Sequence, residues 1–519
     1  MMKDWDTIII GAGLGGLTAA AKLVKAGKRV LVLEKNLHFG GTAYTYQRNG
    51  FSFPMGPLGF SNPQTIQSIL HSVNQDIYLV CDRIHYSLRA FGLMLCISLP
   101  FPQMVDELTR HFPEESNAIK HFFLDVDDVI SSLQFSDTTS DSKSLDKKYQ
   151  ISVDEYLSRV IKDWRLQYIL GSLGTRKPYT SFPLQAAMWN IMGKEGIWYP
   201  RGGFKQFCDS LAQTVTGKRK GTSKSSGVTG VIRLGTAVEK IQVDLGRVTG
   251  VVLADGTVVT SESVISNADY KSTFLNLLGP NVSPDWYNAI SKAKQAGSIF
   301  QVCLGVDLNK VDLSIFRDAS RIIYRRNCGN MPPKEKTNWN REEVDPDEIA
   351  NQEIEVSYWS KDDEKLAPQG SAVIVIRTEA PYEHFSKFRL SSGARVPHYH
   401  DYKTGIAHAL ISEVRRIVPG LGETGSTMDV ATPITFADRA SRSQGAVAGW
   451  SWEYQDTGNN EPKELVLTPI KGLYMAGYQA FSALFMGGVP TAIESGYRAA
   501  EAVLKDTEPI SEIRIPGVP

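Results

Sequence analysis

The sequence predicts an α/β fold built on a Rossmann-type dinucleotide-binding domain, and three features near its start predict it. Thr7-Ile8-Ile9-Ile10 is a short apolar strand that runs straight into Gly11-Ala12-Gly13-Leu14-Gly15-Gly16. Leu17 to Ala26 then places Leu17, Ala20, Ala21, Leu23 and Val24 on one helical face. After Gly27, Arg29 to Leu33 reads as a second strand, with Glu34 at its tip. A glycine-rich turn alone says little. Strand, turn, helix, strand and acid in this order specify a βαβ nucleotide site.

Each part has a physical role. Gly11 permits the tight turn, Gly13 lets the backbone approach a pyrophosphate, and Gly16 lets helix and strand pack closely. Unpaired N–H groups at the helix start favour the phosphates, and Glu34 can accept both hydroxyls of an adenosine ribose. A second match to the pattern, Gly420 to Gly425, follows a helical stretch (Ala407 to Ile417) and Pro419 and precedes a strand. It reads as a helix-ending loop, so one dinucleotide site is expected.

Composition bounds the alternatives. The 56 basic side chains balance 56 acidic ones, which gives no reason to expect a nucleic-acid partner. The five cysteines, at 81, 96, 208, 303 and 328, lack Cys-x-x-Cys spacing, so disulfide exchange is not expected and a reducing compartment is. His398-Tyr399-His400 is the only close histidine pair and reads as a loop feature; no metal site is expected. Met1 to Asp6 is too short and polar for a signal, and no apolar run approaches the ~20 residues of a spanning helix. The expected location is cytoplasmic. Phe91 to Pro102, the most apolar short stretch, reads as a buried strand or core helix, or alternatively as a rim touching a membrane surface. Asp137 to Lys148 and Gly217 to Gly227 read as polar loops.

After Glu34 and five intervening residues comes Gly40-Gly41-Thr42, then Gly50-Phe51-Ser52-Phe53-Pro54-Met55-Gly56-Pro57. The paired glycines let N–H groups close on a phosphate or ribityl chain, which suits a cofactor longer than NAD. This combination resembles the phytoene desaturase, carotenoid isomerase and retinol saturase family of FAD-dependent oxidoreductases. Further landmarks follow in that family's order. Trp198 to Phe204 resembles its Tyr-Pro-x-Gly-Gly turn, and Thr236 to Ile241 with Gly250 to Gly256 its second flavin-domain sheet. Val264 to Asp269 resembles its strand-end signature, Thr432 to Phe436 with Gly445-Ala446 its late strand and turn, and Leu473 to Gly477 with Gly487 to Pro490 its flavin-closing segment.

The resemblance implies a glutathione-reductase-like, discontinuous FAD-binding domain with an inserted α+β substrate domain. The implied boundaries are 1–75, 228–275 and 465–507 for the FAD-binding domain, 76–227 and 276–464 for the substrate domain, and 508–519 for a tail. The implied FAD site comprises Gly11, Ala12, Gly13, Gly15, Gly16, Glu34, Lys35, Gly40, Gly41, Thr42, Gly56, Pro57, Val238 (beside the adenine in relatives), Asn267, Gly477, Tyr478, Gly488 and Val489. Two positions depart from the family. Tyr478 stands where relatives often carry an acid, and Pro54 where many carry aspartate.

The implied activity is oxidoreduction at C–C bonds of a long apolar isoprenoid or polyene: desaturation, saturation or isomerisation. The partners are that lipid, a quinone, oxygen or soluble electron carrier, and a peripheral membrane surface. A flavin can take a hydride from a carbon beside a double bond; the protein then supplies orientation, an apolar tunnel and stabilisation of allylic positive charge. Phe53, Tyr199, Tyr478, Phe481 and Phe485 are candidate tunnel linings, each weighed against simple core packing. No catalytic residue is assigned. Two alternatives share the fold: an amine oxidase, which needs an aromatic cage or a carboxylate, and a non-enzymatic prenyl-lipid escort, which would lack the phosphate glycines or the ribose acid.

Overall fold

Strand Trp5–Ile10 is the hub of the first sheet. Its last four residues are buried, and it pairs in parallel with Val30–Leu33 on one side and Val258–Ser266 on the other. Gly230–Arg233 extends the sheet beyond Val30–Leu33, and Leu473–Met475 joins Val258–Ser266 from the opposite side, both in parallel. The first half of Val258–Ser266 also carries the antiparallel pair Arg247–Leu253 and Val238–Asp244. Strands from three distant stretches of chain thus form one sheet. The structure is a computed structural model describing residues 3–515, apart from 136–150, 180, 218–229, 328, 330, 334–336, 423–425, 452–462, 482–487 and 512–514.

The opening helix is Leu14–Lys25, three residues longer at its start than the apolar periodicity predicts. Gly15 and Gly16 lie inside its first turn, and the reason is contact rather than propensity. A Cβ on Gly16 would lie 2.1 Å from the Gly11 carbonyl oxygen. Helix Gly488–Leu504 crosses the opening helix at the same level, where a Cβ on Gly496 would lie 2.1 Å from the Gly15 carbonyl oxygen. This last helix starts at Gly488 and takes Pro490 into its first turn, because a proline there lacks only an N–H that would be unbonded. Helix Gly203–Thr216 packs on the opening helix from another side.

A second sheet runs in the order Thr427–Ala431, Ile299–Asp307, Ser371–Glu379, Ile354–Tyr358, Arg321–Tyr324, Tyr86–Ala90, Leu93–Cys96. Side chains alternate across it. Phe300, Val302, Ile374, Ile376, Val356 and Ile322 build a core with Ile406 and Leu410 of helix Tyr399–Val414. Cys303, Val373 and Val375 face the other way and join the core of the nucleotide-binding sheet. A third core holds helices Phe101–His111, Ser116–Phe135, Trp164–Ser172 and Phe182–Asn190 around Phe122 and Trp189.

Several local expectations change. Thr432 to Phe436 is not a strand and turn but the start of helix Pro433–Arg439, where Thr432 and Thr435 form a capping box and proline takes the first turn. The strand lies just before it, at Thr427–Ala431. His398 is the N-cap of helix Tyr399–Val414, so the histidine pair opens a helix rather than sitting in a loop. Phe91 to Pro102 spans a turn and the sheet-edge strand Leu93–Cys96 and stops at the helix that Phe101 begins. Gly420 and Gly422 adopt positive φ after the helix, ahead of a strand. Asp137 to Lys148, Lys218 to Gly227, Gly425, Cys328, Phe485 and Gly487 lie outside the described residues. Among the described residues, no helix is long and apolar enough to cross a membrane.

The Gly15–Gly496 contact yields a test. Gly496→Ala forces a methyl against backbone that cannot rotate away, so unfolding should become easier by about 1–3 kcal/mol. Urea denaturation of wild type and variant measures it.

Candidate active site

The glycine run ends strand Trp5–Ile10 and opens helix Leu14–Lys25 with Gly13 as N-cap. No side chain caps this helix start, and its first turn holds no acid, so its N–H groups point into open space rather than to a protein acceptor. That space is a cavity of about 1380 Å³ running on to the second sheet, larger than an ordinary small-molecule pocket.

Of the expected cofactor residues, Gly11, Gly13, Gly15, Glu34, Lys35, Gly40, Gly41, Thr42, Gly56, Pro57, Val238, Asn267, Gly477, Tyr478, Gly488 and Val489 all line this one cavity. Ala12 and Gly16 do not. Ala12 is fully buried, and its N–H donates to Glu34 Oε2 at 2.8 Å. Gly16 instead sets the helix against the turn. Glu34 is more constrained than the sequence suggests, since its Oε1 also accepts the backbone and side-chain N–H of Asn36 at 2.9 Å. These bonds hold the carboxylate in a single pose at the cavity wall.

Asn267 ties the cradle together. Its backbone N–H bonds the Ile10 carbonyl at 2.8 Å, and its side-chain amide lies among glycines. A Cβ would come within 2.8 Å of this amide from Gly13, 2.5 Å from Gly15 and 3.1 Å from Gly477. The wall therefore presents bare backbone over a long stretch, which suits a pyrophosphate-bearing dinucleotide. The uncapped helix start, the buried Glu34 and this glycine cradle together fit FAD.

Arg442 has no motif around it and was missed by sequence. Its Nη2 donates to Thr42 Oγ1 at 2.8 Å, and its Nη1 donates to the carbonyls of Ala446 and Val447. Its guanidinium also lies 4.2 Å from the centre of the Tyr478 ring. It thereby joins three loops around the cradle. Buried Asp269 fixes the same loop by accepting from the Ser443 N–H at 3.0 Å. The Tyr478 hydroxyl is buried and has no hydrogen-bond partner among the described residues, and burial pushes its pKa above the usual tyrosine range. Such an orphan oxygen costs stability until something bonds it.

On the second sheet, Arg377 and Gln301 brace the loop that carries Gly56. Arg377 Nη2 donates to the Gly56 carbonyl at 2.6 Å, its Nε to Gln301 Oε1 at 2.8 Å, and Gln301 Nε2 to the Pro54 carbonyl at 3.1 Å. Burial draws the Arg377 pKa down, and the charge of Glu355, its cross-strand neighbour, draws it back up. A readable signal existed for Arg377 and Glu355: a charge inside the apolar strands Ser371–Glu379 and Ile354–Tyr358 needs polar partners rather than core neighbours.

The tunnel expectation needs correcting. Of its described aromatics, only Tyr478 lines the cavity; Phe53 and Tyr199 are buried in the core. Met188, Ile299 and Ile323 give it apolar surface, but charged side chains occupy much of the rest. The thiols contribute nothing nucleophilic here, as burial pushes Cys208 and Cys303 each up to about 12.

Comparison with known proteins agrees with this geometry. The family model described as flavin containing amine oxidoreductase matches residues 14–504. Prolycopene isomerase 2 of an Oncidium hybrid cultivar is 26% identical over 97% of this chain and 84% of its own length. Phytoene desaturase of Fusarium fujikuroi is 26% identical over 97% of this chain and 90% of its own. An oxidoreductase from Methanosarcina mazei superposes with a TM-score of 0.62 at 17% identity, covering 96% of this chain and all of that one.

Two outcomes follow. Tyr478→Phe should stabilise the cofactor-free protein by about 1–3 kcal/mol while weakening FAD binding, opposite signs readable from melting of the apoprotein and from FAD titration. Glu34→Ala removes a charged acceptor, worth about 1.5–3 kcal/mol, and should weaken FAD binding roughly tenfold or more in the same titration.

Proposed function

The chain belongs to the flavin containing amine oxidoreductase family, and on that premise we propose that this FAD-dependent oxidoreductase acts on C–C bonds of a polyene or isoprenoid lipid. The observation that carries the reading is continuity. One cavity joins the glycine cradle to the apolar side chains of Met188, Ile299 and Ile323, so a long apolar chain can lie against the cofactor without crossing a wall. Relatives named for polyene chemistry match along nearly the whole chain, not only at the nucleotide motif.

Bound FAD supplies a two-electron hydride acceptor or donor. The chain's own residues do the rest. The start of helix Leu14–Lys25 binds the pyrophosphate, and Glu34 holds the ribose. Arg442 keeps Thr42 and Tyr478 in register. Gln301 and Arg377 fix the Pro54–Gly56 loop, so the lipid is oriented between that loop and the second sheet. The electron partner is a quinone, oxygen or a soluble carrier. Contact with a membrane surface would run through strand Leu93–Cys96, where Met94 is 60% exposed.

The purified protein should carry a yellow flavin. Under anaerobic conditions it is offered a cis-polyene before and after reduction by dithionite, with products read by chromatography and mass. Reaction only after reduction assigns isomerisation if the double-bond count is kept and saturation if it falls. Bleaching of the oxidised flavin by the polyene assigns desaturation. A flavin that no polyene affects in either state, but that a primary amine bleaches, defeats the proposal; Glu355 would then be the carboxylate that receives the amine.

A further inference from the structure

A pyrophosphate brings two negative charges, and the helix start that receives it offers only about half a positive elementary charge. Glu34, on the ribose side, adds a further negative charge to the same cavity. The cradle of glycines and N–H groups is therefore short of positive charge. We infer that Arg442, 400 residues beyond Thr42 in the chain, supplies it as a direct ligand of the FAD pyrophosphate. The inference rests on FAD as the cofactor and is independent of the substrate that the flavin oxidises or reduces.

Position, donors and charge all point to this role. Both loops that the guanidinium touches abut the helix start. Thr42 Oγ1 accepts from Arg442 Nη2 at 2.8 Å, and a Cβ on the preceding Gly41 would come within 3.2 Å of the Gly13 Cα. The Tyr478 ring centre lies 4.2 Å from the guanidinium, and the nitrogen of the preceding Gly477 is 2.9 Å from where a Cβ on Gly15 would lie. Gly13, Gly15, Thr42, Arg442 and Tyr478 all line the cavity. Donors remain as well, since a guanidinium has five N–H groups. Nη1 donates to the Ala446 and Val447 carbonyls at 3.0 and 2.8 Å, and Nη2 gives one hydrogen to Thr42. Nε has no acceptor among the described residues and is not sealed from the cavity. It and the second Nη2 hydrogen are left for paired, charge-assisted bonds to phosphate oxygens. The charge itself is unmet. All three bonds of Arg442 run to neutral oxygens, and it forms no ion pair among the described residues. Asp269, the carboxylate beside the same loop, is spent on the Ser272 and Ser443 N–H groups, each at 3.0 Å, and on the Ser443 hydroxyl.

The test reads binding alone, with the full-length apoprotein titrated by calorimetry against ADP, adenosine and FAD at low and high salt. ADP carries the pyrophosphate without the flavin or its ribityl chain. Wild type should bind ADP more tightly than adenosine, with a gap that narrows as salt rises. Arg442→Gln should weaken ADP and FAD roughly tenfold or more, leave adenosine unchanged and flatten the salt dependence. Arg442→Lys keeps the charge and should recover part of the loss. Thr42→Val removes the loop contact but keeps the guanidinium, so it should cost ADP less than Arg442→Gln does. Equal losses of adenosine and ADP in Arg442→Gln would make the residue a loop brace only and overturn the inference. Unchanged ADP affinity with weakened FAD would overturn it too, by moving the guanidinium to the flavin end. A wild-type protein that binds neither ADP nor FAD would defeat the cofactor assignment itself, and the inference with it.

Discussion

Everything about this site depends on how closely backbone can approach backbone around Asn267. Its side-chain amide fills the space where Cβ atoms of Gly13, Gly15 and Gly477 would otherwise lie, and its own N–H is bonded to the end of the central strand. Three chain segments converge there: the first turn of the opening helix, the end of strand Val258–Ser266 and the end of strand Leu473–Met475. Any side chain at those glycines would push them apart and close the cradle. The Gly15–Gly496 contact extends the same constraint to the last helix, whose first residues reach the cavity as well. Close packing of this kind tolerates no added volume.

The cradle would be inert without the loops gathered over it, and charged side chains gather them. Arg442 reaches Thr42, the 446–447 backbone and the Tyr478 ring, while Asp269 pins the start of the same segment. From the opposite sheet, Arg377 and Gln301 hold the Pro54–Gly56 loop. Arg442 and Arg377 both donate to neutral oxygens of the loops they hold. A cofactor with two phosphates gains from guanidinium groups held close to its cradle. Aromatic Tyr478 packs its ring beside the Arg442 guanidinium and joins its loop to the same cluster.

Much of this could be read from the chain alone, for identifiable reasons. The βαβ unit is local: its strand, turn, helix and acid are neighbours in sequence, and hydrophobic period plus glycine chemistry define each. Even so, the opening helix begins at Leu14, because tertiary contact decides where a glycine-rich segment becomes helical. Thr432 to Phe436 shows the converse. The family resemblance implied a strand there, but Thr-Pro followed by Thr three residues on is a cap signal that starts a helix. The aromatics named for a tunnel failed differently. Phe53 and Tyr199 lie near the right loops in sequence, yet which face of a loop meets the cavity is set by packing partners far along the chain.

The sequence by itself determined that a dinucleotide with a long phosphate-bearing chain has a place here, since the residues that exclude side chains and supply the ribose acid are encoded position by position. Only the tertiary structure decided what faces that cofactor. Arg176, Arg325, Glu355 and Arg377 belong to separate segments and no motif connects them; strand register and side-chain alternation bring them to one wall. A one-residue slip in strand Ser371–Glu379 would turn Arg377 into the core and Ile376 toward the cavity, and the substrate the site accepts would change with it.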